Sequence, residues 1–263
     1  MSKYLTAYQN ALSTFFQYRL NLGLLLISHF VSLSGLIYLW LAIYNSGQKV
    51  GAYTLSQIIL YYLLLTVLRL TIADGVGMGF QVSDEIKDGL ITSYLLKPFS
   101  YPLEQLLKLL AQATVNALFV IPILVLLGFI FKSLIALPSF HNILAFLASS
   151  LVGLLFYYLI YFLSALSAFW IYKARSVIYG VIIVSSLMNG SMLPLDLFPD
   201  WLQTASLYLP FQYLMFVPIQ AYLGRVNNWG QIIMLTLLWI VILAIAITGA
   251  WRMGIKKFEA VGQ

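Results

Sequence analysis

Charge is scarce in this sequence, so the places where it gathers are the first candidates for chemistry. Asp84, Glu85, Lys87, Asp88 and Lys97 stand within 14 residues of one another in a chain that is only 8% charged. Three acids and two bases at that density suit the docking of a soluble partner. The same stretch carries Ile86, Leu90, Ile91, Tyr94, Leu95 and Leu96, so a short helix with an apolar face, gripped by another protein, is expected there; the plainer reading is a solvated loop between two hydrophobic runs. Arg69 and Asp74 are the other charges of interest, because they fall inside or at the edge of an apolar run, where each costs on the order of 3 kcal/mol. Five residues place them about 140° apart on a helix, an awkward geometry for a mutual bond. Arg69 is therefore expected to snorkel or to pair with another helix, the functional alternative being a proton or substrate site at this pair.

Other chemistries find little support. The chain has no cysteine and its two histidines, His29 and His141, are far apart, so neither a disulfide framework nor a metal centre is expected. Gly75-x-Gly77-x-Gly79 looks superficially like a nucleotide loop, but it follows an apolar helix rather than a strand and reads as a small-x-x-x-small packing surface. No G-x-x-x-x-G-K-[ST] loop occurs, so the chain itself is not expected to hydrolyse ATP. The apolar runs hold no nucleophile, base and orienting group that would make an enzyme.

The elements that must position these residues are membrane spans. With 62% of its 263 residues hydrophobic, the chain repeats runs of 20 or more apolar residues, each long enough to cross about 30 Å of hydrocarbon. The expected fold is an all-α integral membrane protein, one domain over residues 1–263, with six transmembrane helices near 20–44, 54–78, 103–131, 143–171, 176–193 and 229–251. The first run exceeds the core of a signal peptide, so insertion without processing is expected. Residues 2–19 precede it as an amphipathic interfacial helix: Tyr4, Leu5, Tyr8, Ala11, Leu12, Phe15 and Phe16 recur at helical spacing on one face. Residues 79–102 form the largest inner loop. Residues 194–225 contain Pro194, Pro199, Pro210 and Pro218, which argue against one continuous helix and for short re-entrant helices before the last span.

The net charge of +6 is spread between apolar runs and reads as a topology signal rather than a nucleic-acid footprint. A cytoplasmic amino terminus puts Lys3, Arg19, Lys87, Lys97, Lys108, Lys173, Arg175, Arg252, Lys256 and Lys257 inside, against Lys49, Lys132 and Arg225 outside, so both termini are expected in the cytoplasm. Trp40, Trp201, Trp229 and Trp251 are expected in interfacial belts. Tyr38, Tyr61 and Tyr62, with Met188, Asn189 and Met192, are candidates to line a substrate path, and Phe156, Tyr157, Tyr158 and Tyr161 lie at similar depth. For each of these aromatic residues, ordinary helix packing is the competing role.

The string Glu85-Ile86-Lys87-Asp88-Gly89, followed by Leu95-Leu96-Lys97-Pro98, resembles the cytoplasmic loop of the type-2 ATP-binding-cassette (ABC) exporter permeases. Leu209-Pro210-Phe211, Tyr213, Pro218 and Gly224 resemble the outer re-entrant segment of a bacterial branch of that family, one that includes drug- and viologen-type exporter permeases. With the interfacial helix and the six-span layout, the resemblance covers nearly the whole chain. It implies a permease half in the bacterial inner membrane that exports an amphipathic, drug-like or lipid-like compound. It also implies pairing with a second half, identical or related, and with two copies of an ABC ATPase. ATP and Mg would bind that ATPase, with no cofactor in this chain. Asp84, Glu85, Ile86, Lys87, Asp88, Gly89, Leu96, Lys97 and Pro98 would form the coupling helix, and Pro194, Pro199, Pro210, Phe211, Tyr213 and Pro218 would shape the re-entrant segment. An ion-coupled secondary transporter, for which Asp74 would be essential, and a non-transporting membrane scaffold remain the alternatives.

Overall fold

The structure is a computed structural model that describes residues 6, 8–13, 19–47, 50–73, 75–95, 100–130 and 138–261. Helices dominate, and the only β feature among the described residues is one bridge between Val50 and Tyr53. Of the expected interfacial helix, residues 8–13 are described and helical (α1). The Tyr8 hydroxyl shares a 2.9 Å hydrogen bond with the Thr114 hydroxyl. The helices α2 (Arg19–Asn45), α3 (Leu55–Ile72), α4 (Gly75–Lys87), α5 (Ile91–Leu95), α6 (Tyr101–Ile130) and α7 (Phe140–Ala165) follow in order. A 3-10 turn, Leu166–Phe169, extends α7, and then come α8 (Ala174–Met188), α9 (Asp200–Tyr208), α10 (Phe216–Tyr222) and α11 (Trp229–Val261).

Helix starts are written locally. Thr54 opens α3 with a capping box: its hydroxyl accepts from the Gln57 backbone and the Gln57 side chain accepts from the Thr54 N–H. Ser139 caps α7 through the Asn142 N–H. Among the described residues, five helical stretches are long and apolar enough to cross a membrane: Ile27–Asn45, Leu55–Lys87, Tyr101–Pro122, Phe140–Phe169 and Trp229–Phe258. The sixth expected span, 176–193, corresponds to α8, whose 15 residues rise only about 22 Å. It stops because Gly190 takes a left-handed conformation, φ +78°, that turns the chain. Residues 194–225 are broken into a 3-10 turn, α9, a second 3-10 turn and α10, as their four prolines require.

One boundary differs from the sequence reading. The charged stretch does not begin as a loop at 79, because α4 carries the helix on to Lys87. Two glycines allow this. A Cβ on Gly75 would stand 2.7 Å from the Tyr157 Cβ, and one on Gly79 would stand 3.1 Å from the Tyr161 carbonyl oxygen. The small-x-x-x-small pair therefore lays α4 directly on α7, and Gly77 faces open space.

Helix α7 is the central post, with Phe156, Tyr161 and Phe162 fully buried. One turn before Tyr157, Gly153 comes within about 3 Å, measured from the Cβ it lacks, of the Tyr213 and Leu214 carbonyl oxygens. The outward faces are apolar too: Ile27, Val31, Ile183, Met234 and Ile245 are all exposed, as lipid-facing positions should be. One of the four tryptophans expected in belts is instead packed inside: Trp40 is buried against Tyr62 and Tyr44. Trp251, half-buried, stacks on Tyr101 at 5.4 Å and 8°. Ring surface is better used against other rings than at the interface.

Candidate functional site

The charged elbow is built from the end of α4, the turn at 88–90, α5 and the start of α6. The apolar stretch Leu55–Lys87 counts 33 residues, more than the roughly 20 that a crossing of the hydrocarbon needs, and its charges gather at the α4 end. Gly89 (φ +75°) then reverses the chain in the left-handed conformation that ends helices. Ile86 and Ile91 bury their side chains on either side of that turn and pin it to the bundle.

The four charges of the elbow divide by direction. Glu85 points inward and is 9% exposed. Its carboxylate accepts from the Gln81 side chain at 2.7 Å, the Tyr101 hydroxyl at 2.5 Å and the Gln105 side chain at 3.5 Å. Three donors from two helices compensate the cost of burying a carboxylate. Asp84 lies at the surface and takes the Arg175 guanidinium in a two-pronged pair, Nε to Oδ1 at 3.0 Å and Nη2 to Oδ2. This ties the end of α4 to the start of α8. Lys87 and Asp88 are exposed, the Lys87 ammonium resting 4.5 Å from the Tyr172 ring centre. Leu90 is 55% exposed, and Thr92 and Ser93 beside it are exposed as well. A recess of about 450 Å³ lies between α4 and α8, lined by Asp84, Lys87, Asp88, Tyr172, Lys173 and Arg175. Leu96, Lys97 and Pro98 lie outside the described residues.

Deeper in the bundle, the structure brings together part of the candidate path. The Tyr61 hydroxyl donates to the Gly190 carbonyl at 2.7 Å, the Tyr62 hydroxyl to the Met192 carbonyl at 2.9 Å, and Arg69 Nη2 to the Ser191 carbonyl at 3.1 Å. Helix α3 thus holds the turn after α8, where Met188 and Asn189 are buried and Met192 is exposed. Arg69, expected to snorkel or to pair with another helix, donates instead to a backbone carbonyl in the bend after α8; Asp74 lies outside the described residues. Tyr38 does not join this group and is 74% exposed on α2. Tyr157, Tyr158, Tyr161 and Phe156 pack in the core.

At the end of the bundle opposite the elbow lies a second polar cluster that the sequence reading missed. The Tyr53 hydroxyl donates to Asp196 Oδ1 at 2.9 Å and accepts from Gln220 Nε2 at 2.6 Å. Arg225 stacks over the Tyr53 ring at 4.0 Å and approaches Asp196 Oδ2 at 3.9 Å. Burial, and then the charge of Asp196, raise the Tyr53 phenol above its ordinary range, so it stays a donor. The cluster joins the loop between α2 and α3 to both ends of the proline-rich segment. Its members lie up to 172 residues apart, from Tyr53 to Arg225, so no local pattern announces it. Pro194 and Pro199 precede the first two short helices of that segment, Pro210 opens the second 3-10 turn, and Pro218 lies in the first turn of α10. Phe211 packs against the core, and Tyr213, buried, stacks on Phe156 at 5.1 Å.

Residues 30–262 match a family model described as ABC-2 family transporter protein. No curated protein matches the chain.

Proposed function

The chain belongs to the ABC-2 transporter family, and from that premise we propose that it is the permease half of an exporter driven by ATP hydrolysis on a separate ABC ATPase. It is a multi-pass membrane component of a transporter. In this reading it sits in a bacterial inner membrane with both termini in the cytoplasm, pairs with a second permease half, identical or related, and carries two ATPase copies per complex. Its cargo is an amphipathic compound, drug-like or lipid-like, moved outward.

The observation that carries this reading is the elbow. The end of α4 and the turn after it, held from behind by the buried Glu85, Ile86 and Ile91, present Lys87, Asp88 and Leu90 to solvent, which is the construction of a docking lever. Glu85 fixes the lever, and its exposed neighbours meet the ATPase. Asp84 and Arg175 then pass any displacement of the lever to α8. The six-crossing count is supported by how α8 is anchored. Arg175 is bound at the elbow end, while Asp196, 21 residues later, is bound to Tyr53 at the other. The chain therefore runs from one end to the other although α8 alone is short, and 194–225 returns as a re-entrant segment. Tyr61, Tyr62, Met188, Asn189 and Met192 border the substrate route.

The test is co-purification with an ATPase that carries a Walker A loop. Leu90→Glu should insert and fold normally yet lose most of the bound ATPase. Retention of the ATPase by that variant, or transport that continues without any ATPase, would overturn the assignment.

A further inference from the structure

Arg69 sits midway between the two polar ends of the molecule. Along the α3–α4 stretch it is 16 residues from Tyr53, in the opposite-end cluster, and 15 from Asp84, in the elbow pair, on the order of 20 Å from either. The route through α8 agrees, since Ser191, which accepts from Arg69, is 16 residues beyond Arg175. A guanidinium at that depth is too far from either end to snorkel, yet Arg69 is exposed. Charges held so deep in a membrane protein face a water-filled cavity or another protein surface rather than lipid.

What Arg69 does inside the chain leaves its charge unused. Its Nη2 donates to the Ser191 carbonyl at 3.1 Å, and no carboxylate among the described residues lies within ion-pair distance of it. The bend it touches is already gripped without charge, by the Tyr61 hydroxyl at Gly190 and the Tyr62 hydroxyl at Met192. The surroundings are polar for a spanning region. Helix α2 packs on α3 through Trp40 and Tyr62; seven residues from that contact along each helix, Arg69 stands level with Leu33, and α2 there exposes Ser32, Ser34 and Gly35. Helix α11, by contrast, exposes Ile233, Leu237, Val241 and Ile245, as a lipid-facing surface does. A guanidinium fork with N–H groups to spare, next to the exposed Met192 and Leu193, offers an anionic group a partner and an apolar body a wall.

We propose that Arg69 binds the anionic group of the transported compound, so that the cargo is an amphipathic acid, a sulfonate, phosphate or carboxylate on an apolar body, rather than a cation. The proposal rests on the reading of the chain as a permease and narrows its cargo. A cation would meet the guanidinium as a like charge in a medium of low dielectric and be repelled. A resident phospholipid keeps its phosphate at the membrane surface, roughly 15 Å from the mid-plane, so an anion that reaches Arg69 has been carried in. The same guanidinium holds Ser191, and the other end of α8 is held at the elbow by Arg175 and Asp84. Helix α8 therefore joins the anion site to the lever.

The experiment titrates the purified transporter, in phosphatidylcholine nanodiscs, with two fluorescent probes: the anion anilinonaphthalene sulfonate and the neutral phenylnaphthylamine, with empty nanodiscs subtracted. Arg69→Gln should weaken the sulfonate by about tenfold, the scale of one charge-assisted hydrogen bond, and leave the neutral probe unchanged; Arg69→Lys should recover most of the loss. Equal loss of both probes would mean that Arg69 only shapes the bundle, and an unchanged sulfonate affinity would mean that it meets no anion; either result overturns the site. Asp74→Asn should leave sulfonate binding intact, and a loss as large as that of Arg69→Gln would assign Arg69 to an internal ion pair and sink the proposal. Phosphatidylglycerol added to the nanodiscs should not displace the sulfonate; displacement would make a resident lipid the ligand and overturn the cargo assignment. Should Arg69→Gln fail to fold, the unaltered protein is treated with the arginine reagent phenylglyoxal and Arg69 is followed by peptide mass spectrometry. The sulfonate should slow its modification and the neutral probe should not, and equal rates, or no reaction at Arg69, would overturn the site. Loss of the ATPase from the complex would sink the permease reading without altering these affinities.

Discussion

Glu85 shows how a charged residue at a contact-bearing elbow can serve the contact without touching it. Its oxygens are taken by Gln81, Tyr101 and Gln105, and Tyr101 is itself held by the Trp251 ring. Removing the carboxylate leaves the Tyr101 hydroxyl and the Gln105 amide buried without an acceptor, at a cost of about 1–3 kcal/mol. Glu85→Ala should therefore lower the thermal midpoint of the purified protein in detergent, and Glu85→Gln, which keeps one acceptor oxygen, should recover part of that loss. Lys87→Ala and Asp88→Ala, at exposed positions, should leave stability within about 0.5 kcal/mol while reducing the amount of ATPase that co-purifies. Full stability of Glu85→Ala combined with loss of the ATPase would move Glu85 from the inside of the lever to its contact face.

The proposed lever depends on α4 lying close on α7, and the glycines of α4 show which contacts matter. Gly79→Val must push against the Tyr161 backbone, 3.1 Å from where its Cβ would stand, and overpacking of that kind costs typically about 1–3 kcal/mol. Gly77→Ala meets nothing within 4 Å and should be neutral or stabilising by up to about 1 kcal/mol, since alanine favours the helix. Size-exclusion profiles and melting curves of the two variants separate these outcomes, and equal behaviour would mean that α4 does not rest on α7. That packing was legible in the sequence because Gly75 and Gly79 are spaced one turn apart on an apolar helix. The long apolar runs of α3, α7 and α11 were legible for the same reason, since length and hydropathy alone define a span. The continuation of α4 through the charges was not. Two of the three donors that satisfy Glu85 come 16 and 20 residues later, and what pairs Asp84 comes 91 residues later. The opposite-end cluster was hidden likewise, because Arg225 reads as one more basic residue in a loop until folding lays it over Tyr53. Trp40, near the end of an apolar run, could not reveal that a ring partner on another helix would draw it inside.

For the molecule as a whole, the decisive question is how many times the chain crosses the bilayer. An even number places both ends on one side and an odd number places them on opposite sides. Among the described residues five helices reach spanning length; in the proposed reading α8 and the turn after it carry a sixth crossing, with Arg175 bound to the elbow and Asp196 to the opposite end. The absence of cysteine makes the count measurable, because a single introduced cysteine is then the only thiol in the protein. Thr6, Ser93, Asn227 and Lys257 are all exposed and suit such replacement. Applied to intact cells, a membrane-impermeant maleimide should label Asn227→Cys and spare Thr6→Cys, Ser93→Cys and Lys257→Cys; in inverted vesicles the pattern should reverse. This expected pattern follows from the proposed orientation, in which the lysines and arginines of the elbow end lie in the cytoplasm. Labelling of Thr6→Cys and Lys257→Cys from opposite sides would reduce the count to five and detach α8 from its spanning role. Labelling of Ser93→Cys from outside intact cells would place the elbow where no cytoplasmic ATPase could grip it, and the energy source would have to be sought elsewhere.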